Sequence, residues 1–139
     1  ATPCGFKQST MRYRRLAFIA VPIVRSVAPF LEQVMQEYDR FTTDELDAAS
    51  TTFQVATLNV GAILLGICDG DTERANREIR LALDLPPSVI ARRAAAAESV
   101  ANANGIPDRA QLAALIARLM GTVSSIQAVI ERRSSSTLQ

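Results

Sequence analysis

A chain of 139 residues with 48% hydrophobic residues and a net charge of +1 is long enough to bury a core, and it is not disordered. The absence of His excludes nucleophile systems of the Ser-His-Asp and Cys-His types. Two cysteines, Cys4 and Cys68, are too few for a disulfide framework or a cysteine-based zinc site.

The first third of the chain predicts an irregular arm over residues 1–10 and a helix-permissive segment over 11–21. Pro22 and Pro29 are expected to interrupt this helix, because proline lacks the N–H donor and disfavours helix in the residue before it. A new helix is predicted with Pro29 in its first turn. Its apolar face would carry Leu31, Val34, Met35 and Tyr38.

A basic run at residues 12–15 followed by an apolar run at 16–24 is similar to the start of a signal peptide. Arg25 and Pro29 flank the small residues at 26–28, which is unfavourable for a cleavage site. We therefore prefer an amphipathic helix with a basic start.

The clearest helix start lies at residues 41–46. Thr42 and Glu45 fit a capping box, and Phe41 with Leu46 fits the hydrophobic staple beside it. The predicted helix spans about 43–68 and ends where Gly70 can adopt the left-handed conformation. Its apolar positions are spaced three and four apart, as in a heptad repeat. They are Leu46, Ala49, Phe53, Ala56, Val60, Ile63 and Ile67.

Two shorter helices are predicted next. The first is capped by Asp71 or Thr72 and ends near Leu85, before the Pro86-Pro87 pair. Its buried side is predicted to hold Ile79, Ala82 and Leu83. The second spans about 88–103, with Gly105 as the residue just beyond its end.

A second long helix is predicted over about 108–133, opened by Pro107 and Asp108, with a polar tail at 134–139. Its apolar positions again follow a heptad repeat: Leu112, Ile116, Leu119, Val123, Ile126 and Ile130. The sequence therefore predicts an all-α fold, a helical bundle of about five helices, two of them long. We expect residues 1–139 to form a single helical domain.

The two long helices lack the charged side that a helix normally turns to water. Residues 48–68 carry no charge, and Arg118 is the one charge within residues 110–130. A helix that is apolar or neutral all round is usually covered all round, and three short helices cannot easily cover two such rods. We expect further copies to supply the cover. The alternative is one five-helix bundle with both rods at its centre. A membrane span is the third interpretation, and the polar side chains that recur within residues 48–68 argue against it.

The net charge hides three blocks of alternating sign: +5 over residues 1–31, −8 over 32–73 and +4 over 74–133. Basic and acidic blocks can meet within one fold or between copies. The leading hypothesis is thus a non-catalytic, self-associating structural or assembly subunit, a homo-oligomer. Its contact residues would be Arg12, Arg14, Arg15, Thr51, Gln54 and Asn59.

A second hypothesis comes from groups of arginine side chains, which suit contacts to phosphate. The residues are Arg74, Arg77, Arg80, Arg92 and Arg93. Spacing of three puts the first three in a slanting row along one side of a helix. Such a row could bind a nucleic-acid backbone, or it could be a solvated face paired with Glu73, Glu78 and Asp84. No aromatic residues are interleaved with it for base stacking.

In architecture, a neutral, alanine-rich bundle with long helices and arginine groups resembles the helical coat subunits of rod-shaped viruses. That resemblance implies self-assembly and an RNA-binding or other nucleic-acid-coating role. A third hypothesis is a small-molecule-binding regulatory domain, with a pocket lined by Phe53, Met35 and Met120. No residue pattern predicts a catalytic group, a cofactor or a metal site, so we expect no enzyme.

Overall fold

The computed structural model describes residues 21–138, and side chains from 21 to 135. All regular structure in this range is helical, as predicted. Helix α1 is described over 21–36, and a short 3-10 turn follows it at Tyr38–Arg40. The longer elements are α2 (Thr43–Ile67), α3 (Thr72–Leu83), α4 (Pro87–Asn102) and α5 (Arg109–Leu138). The predicted arm at 1–10 lies outside the described residues.

The long helix α2 starts as predicted. The backbone N–H of Glu45 donates to Thr42 Oγ1 at 3.1 Å, and the N–H of Thr42 donates to Glu45 Oε1 at 2.9 Å. The Thr42 N–H, and after it the Thr42 hydroxyl, favour the charged form of the Glu45 carboxyl and so lower its pKa. Helix α5 has an equivalent pair, since Asp108 accepts from the N–H of Gln111 at 2.8 Å and Gln111 Oε1 accepts from the N–H of Asp108.

Helices α2 and α4 end in the same motif. The residue after each C-cap has a positive φ, +57° at Asp69 and +62° at Asn104, and a glycine follows. The N–H of that glycine then donates to the carbonyl five residues back, Gly70 to Leu65 and Gly105 to Val100. Gly105 was predicted as the left-handed residue, but Asn104 adopts that conformation. Gly105 is instead confined by space, because a Cβ there would lie 3.0 Å from the Val100 side chain.

The predicted break in the first helix is wrong. Helix α1 continues through Pro22 and Pro29 to residue 36. Both prolines are exposed, so the carbonyl that Pro29 leaves without its helical donor belongs to the solvent side, where water can hydrate it. Tyr38, predicted on the apolar face of this helix, lies in the 3-10 turn instead.

Helix α5 is the centre of the fold. It packs most extensively against α2, then against α4 and α3. Helix α1 joins this group through the Phe30 ring, 5.3 Å from the Phe53 ring of α2, and through an ion pair between Glu32 and Arg118 of α5. Helix α5 extends to Leu138, so the end predicted near Arg133 is too early.

The predicted heptad positions form the core. In α2 the six from Leu46 to Ile63 are all buried, and Phe53 is fully inaccessible. In α5, Leu112, Ile116, Leu119 and Ile126 are buried, and Val123 and Ile130 are half-buried. One prediction about α3 is wrong: its buried residues are Ala75 and Ala82, and Leu83 is exposed. Leu83 follows Ala82 directly, about 100° round the helix, and so turns away from α5.

Helices α2 and α5 run antiparallel. The Arg133 guanidinium near the end of α5 donates to the Phe41 carbonyl at 3.0 Å, just before α2 begins. At the other end, Arg109, which starts α5, lies close enough to Cys68 to act on its thiol electrostatically. The middle of each helix therefore lies beside the middle of the other.

Candidate interaction surface

The described residues leave the middle of the α2–α5 pair uncovered on one side. We call this area the neutral surface, because it carries no ionic side chain. Its exposed members are Thr51, Gln54, Val55, Leu58, Ala62, Met120, Gly121, Ser124, Gln127 and Ala128. Leu58 is 75% exposed, Val55 52% and Met120 42%. Large apolar side chains exposed together are typical of an interaction site rather than of a water-facing helix.

A groove of about 470 Å³ runs between the two helices on this side. Its walls are apolar or neutral: Gln54, Thr57, Leu58, Met120, Val123 and Ser124. The groove is open, and it lies where the antiparallel pairing brings the midpoints of α2 and α5 together. A protruding side chain from another helix would fit between the two ridges that border it.

The threonines make this surface less polar than their number suggests. Thr51 donates its hydroxyl to the Asp47 carbonyl at 3.2 Å, and Thr57 donates to the Phe53 carbonyl at 2.7 Å. Gln54 is also engaged within its own helix, since Nε2 donates to Ser50 Oγ at 3.4 Å. Because the threonine hydroxyls donate locally, a partner can cover them without supplying acceptors, whereas Gln54 keeps a second N–H and its carbonyl oxygen for the partner or for water.

Helix α2 carries a second heptad repeat on its uncovered side, and the sequence analysis missed it. The second seam consists of Ala48, Thr51, Val55, Leu58, Ala62 and Leu65. All of these are exposed except Leu65, which is half-buried. The spacing of three and four was present in the sequence. The prediction used only the repeat on the opposite face, because its apolar residues are larger and more numerous. Only the fold shows that two such seams exist and that one has no cover.

The structure describes three of the six predicted self-association residues, and two of these lie on the neutral surface. Thr51 and Gln54 belong to the neutral surface. Asn59 is exposed too, but it follows Leu58 by one position and so lies about 100° round the helix, away from the groove. Arg12, Arg14 and Arg15 lie outside the described residues.

The structure covers one part of the two rods completely. Residues 112–117 of α5 are buried without interruption, so helices of the same chain surround this segment. Elsewhere the two long helices are only partly covered. Within the most apolar stretch of each helix, 33% of the residues are buried in α2 and 44% in α5. The five-helix bundle with both rods at its centre therefore describes only the first half of α5.

The expectation that residues 48–68 do not span a membrane stays a prediction. By length and composition alone, α2 and residues 109–135 of α5 are each sufficient to cross a membrane. A buried core helix passes the same criterion. The exposed side of α2 also carries Thr51, Thr52, Gln54 and Asn59, whose transfer into lipid is unfavourable.

The arginine groups are exposed but not joined into one site. Arg74, Arg77 and Arg80 lie on the side of α3 opposite the buried Ala75 and Ala82. Within the described part of the chain, none of the three forms an ion pair with Glu73, Glu78 or Asp84. Arg92 and Arg93 are exposed on α4, which hardly contacts α3.

A different arginine is mostly buried. Arg118 is only 15% exposed, and its guanidinium donates to the Glu32 carboxylate of α1. Its Nε–H is buried without a hydrogen-bond partner. These groups border a groove of about 170 Å³ between α1, α4 and α5, which Glu98 and small apolar side chains complete. Since the Arg118 guanidinium is already paired with the Glu32 carboxylate, we interpret this contact as structural.

The three residues proposed for a small-molecule pocket do not come together. Phe53 is fully buried against Phe30, Met35 packs at the edge of the core, and Met120 is exposed in the α2–α5 groove.

Burial raises the pKa of the Cys68 thiol, against the opposing effect of Arg109 and Arg74. Residues 21–138 contain no group of three His, Cys, Asp or Glu side chains able to hold a metal ion.

Comparison with known proteins adds no assignment: no family model, curated protein or solved structure matches this chain.

Proposed function

We propose that this chain is a non-catalytic structural subunit that self-associates through the neutral surface. The observation that supports this most directly is Leu58, 75% exposed at the middle of a surface that has no ionic side chain. A water-facing helix keeps a charged stripe, whereas a helix that is neutral on its open side is usually covered.

The energetics favour a protein partner. Full burial of a leucine or valine side chain is worth roughly 1.5–3 kcal/mol, and Leu58, Val55 and Met120 are all available. Because the threonine hydroxyls are hydrogen-bonded within α2, covering them costs little. A second copy brings no like charges together on this surface.

The test is the mass of the protein in solution, measured by light scattering across a concentration series. We expect the wild-type chain to self-associate and Leu58→Glu to remain monomeric, because association would bury an unpaired carboxylate. The matched control is Leu81→Glu, since Leu81 is a leucine 58% exposed on α3, outside the neutral surface. A wild-type chain that stays monomeric at high concentration would exclude this function.

A nucleic-acid-coating role is the second candidate, and the exposed row of Arg74, Arg77 and Arg80, which forms no ion pair within residues 21–138, favours it. Binding would be to the phosphate backbone, independent of sequence and steeply weakened by salt. We expect replacement of all three by glutamine to abolish mobility shifts of single-stranded RNA. Arg40→Gln is the control, because Arg40 is exposed but already paired with Glu37. No binding by the wild-type chain at low salt would eliminate this candidate.

A further inference from the structure

We infer that two copies of this chain associate about a two-fold axis through antiparallel α2 helices, with Val55 of each copy packed against Leu58 of the other. The inference rests on the proposed self-association and specifies its geometry. It uses the second seam, whose exposed residues are not covered by any part of residues 21–138.

The repeat of the second seam identifies the kind of partner. Side chains spaced alternately three and four apart pack best against another helix with the same repeat, each knob entering a hole of the facing helix. Ala48, Thr51, Val55, Leu58 and Ala62 supply both knobs and small residues between them. A second copy presents this same pattern, so the surface is self-complementary, as a two-fold interface requires.

The sizes of the side chains favour the antiparallel direction. If Val55 faces Leu58 of the second copy, the same register places Thr51 opposite Ala62 and Ala48 opposite Leu65. Each layer then holds a larger and a smaller side chain, or two of intermediate size, and the layers are evenly filled. A parallel pair would place Ala48 on Ala48 and Leu58 on Leu58, which alternates underfilled and crowded layers.

The helix dipoles favour the same direction, because antiparallel dipoles attract and parallel dipoles repel. The first turn of α2 is acidic, with Asp44, Glu45 and Asp47 exposed and no basic residue among them. A parallel pair would bring two such turns together. An antiparallel pair brings each one near the other copy's α2 C-terminus, where Asp69, Asp71 and Glu73 are also acidic, so side-chain charge at the helix ends does not distinguish the two directions.

The groove beside α2 accommodates the second copy. Met120 and Leu58 line the same groove, so α2 of a second copy lying along the second seam would also cover Met120 of α5. The two α2–α5 pairs would then form a four-helix arrangement with the exposed apolar side chains inside it.

Cysteine cross-linking tests the register. In the 139-residue chain with Cys4→Ser and Cys68→Ala, two single variants are prepared, Thr51→Cys and Ala62→Cys. In the proposed register Thr51 faces Ala62 of the other copy, whereas the two Thr51 residues lie about 17 Å apart along the helix axis, as do the two Ala62 residues. We expect a short bismaleimide to cross-link an equal mixture of the two at least fivefold more than either variant alone. Strong cross-linking of Thr51→Cys with itself would indicate a parallel pair and overturn the inference.

Two further measurements separate the possible failures. Light scattering of the same background shows whether it self-associates: an oligomer without the mixed cross-link overturns this geometry but leaves the proposed function standing. A monomer overturns both. Flotation with neutral phosphatidylcholine vesicles covers the remaining case, since binding to vesicles without self-association would mean that the neutral surface faces lipid.

Discussion

Arg118 and Glu32 show how a single charge can be tolerated within the most apolar stretch of the chain. The guanidinium is 15% exposed, whereas the Glu32 side chain is 43% exposed. The two partners are therefore unequal: the carboxylate can be hydrated where it lies, but the guanidinium depends on the carboxylate, and its Nε–H already lacks a partner.

This inequality predicts that loss of the acid is more damaging than loss of the base. Glu32→Gln should lower the free energy of unfolding by roughly 1–3 kcal/mol, because it leaves a mostly buried charge without its counter-ion. Arg118→Met should cost less, since it removes the buried charge and keeps apolar contacts to α1 and α4. Urea unfolding of both variants at one protein concentration gives the comparison, and the reverse order would contradict it.

At the scale of the element, α1 illustrates tertiary packing overriding a local rule. Pro29 removes a backbone donor and disfavours helix in the residue before it, and on this basis the sequence predicted a break. The structure keeps the helix because Val24, Ala28, Leu31 and Val34 are all buried on one side of it, while Pro29 lies on the exposed side. The burial of that apolar face outweighs the local cost.

Replacing Pro29 should therefore stabilise the protein. Pro29→Ala is expected to raise the free energy of unfolding by roughly 1–3 kcal/mol, since proline in a helix interior is about 3 kcal/mol worse than alanine and stiffening of the unfolded chain offsets part of this. Pro87→Ala is the matched control, because proline in the first turn of α4 costs nothing and should give no gain. Thermal and urea unfolding measure both; equal effects would contradict this explanation of α1.

At the scale of the whole molecule, the fold divides α5 into two environments. Its first half is enclosed by helices of the same chain, and its second half forms the neutral surface together with the middle of α2. If copies cover that surface, stability must depend on concentration, because a partner that binds only the folded state stabilises it by mass action.

We accordingly expect the midpoint of thermal unfolding to rise by several degrees when the protein concentration is raised a hundredfold, a change worth up to about 2.7 kcal/mol. The Leu58→Glu variant should show no such rise, while Leu81→Glu should behave as the wild type does. Differential scanning fluorimetry across the concentration range gives the result. A midpoint independent of concentration in the wild type would argue against coverage by a second copy.

The helices, their caps and the buried seams of α2 and α5 were predictable from the sequence, because they depend on local spacing. Thr42 with Glu45 and the run from Leu46 to Ile63 specify a helix and its buried face wherever the rest of the chain lies. The continuity of α1 through Pro29, the exposure of Leu83 and the uncovered second seam were decided by the tertiary structure. Each depends on which side of a helix the other helices happen to cover, and spacing within one helix cannot specify that.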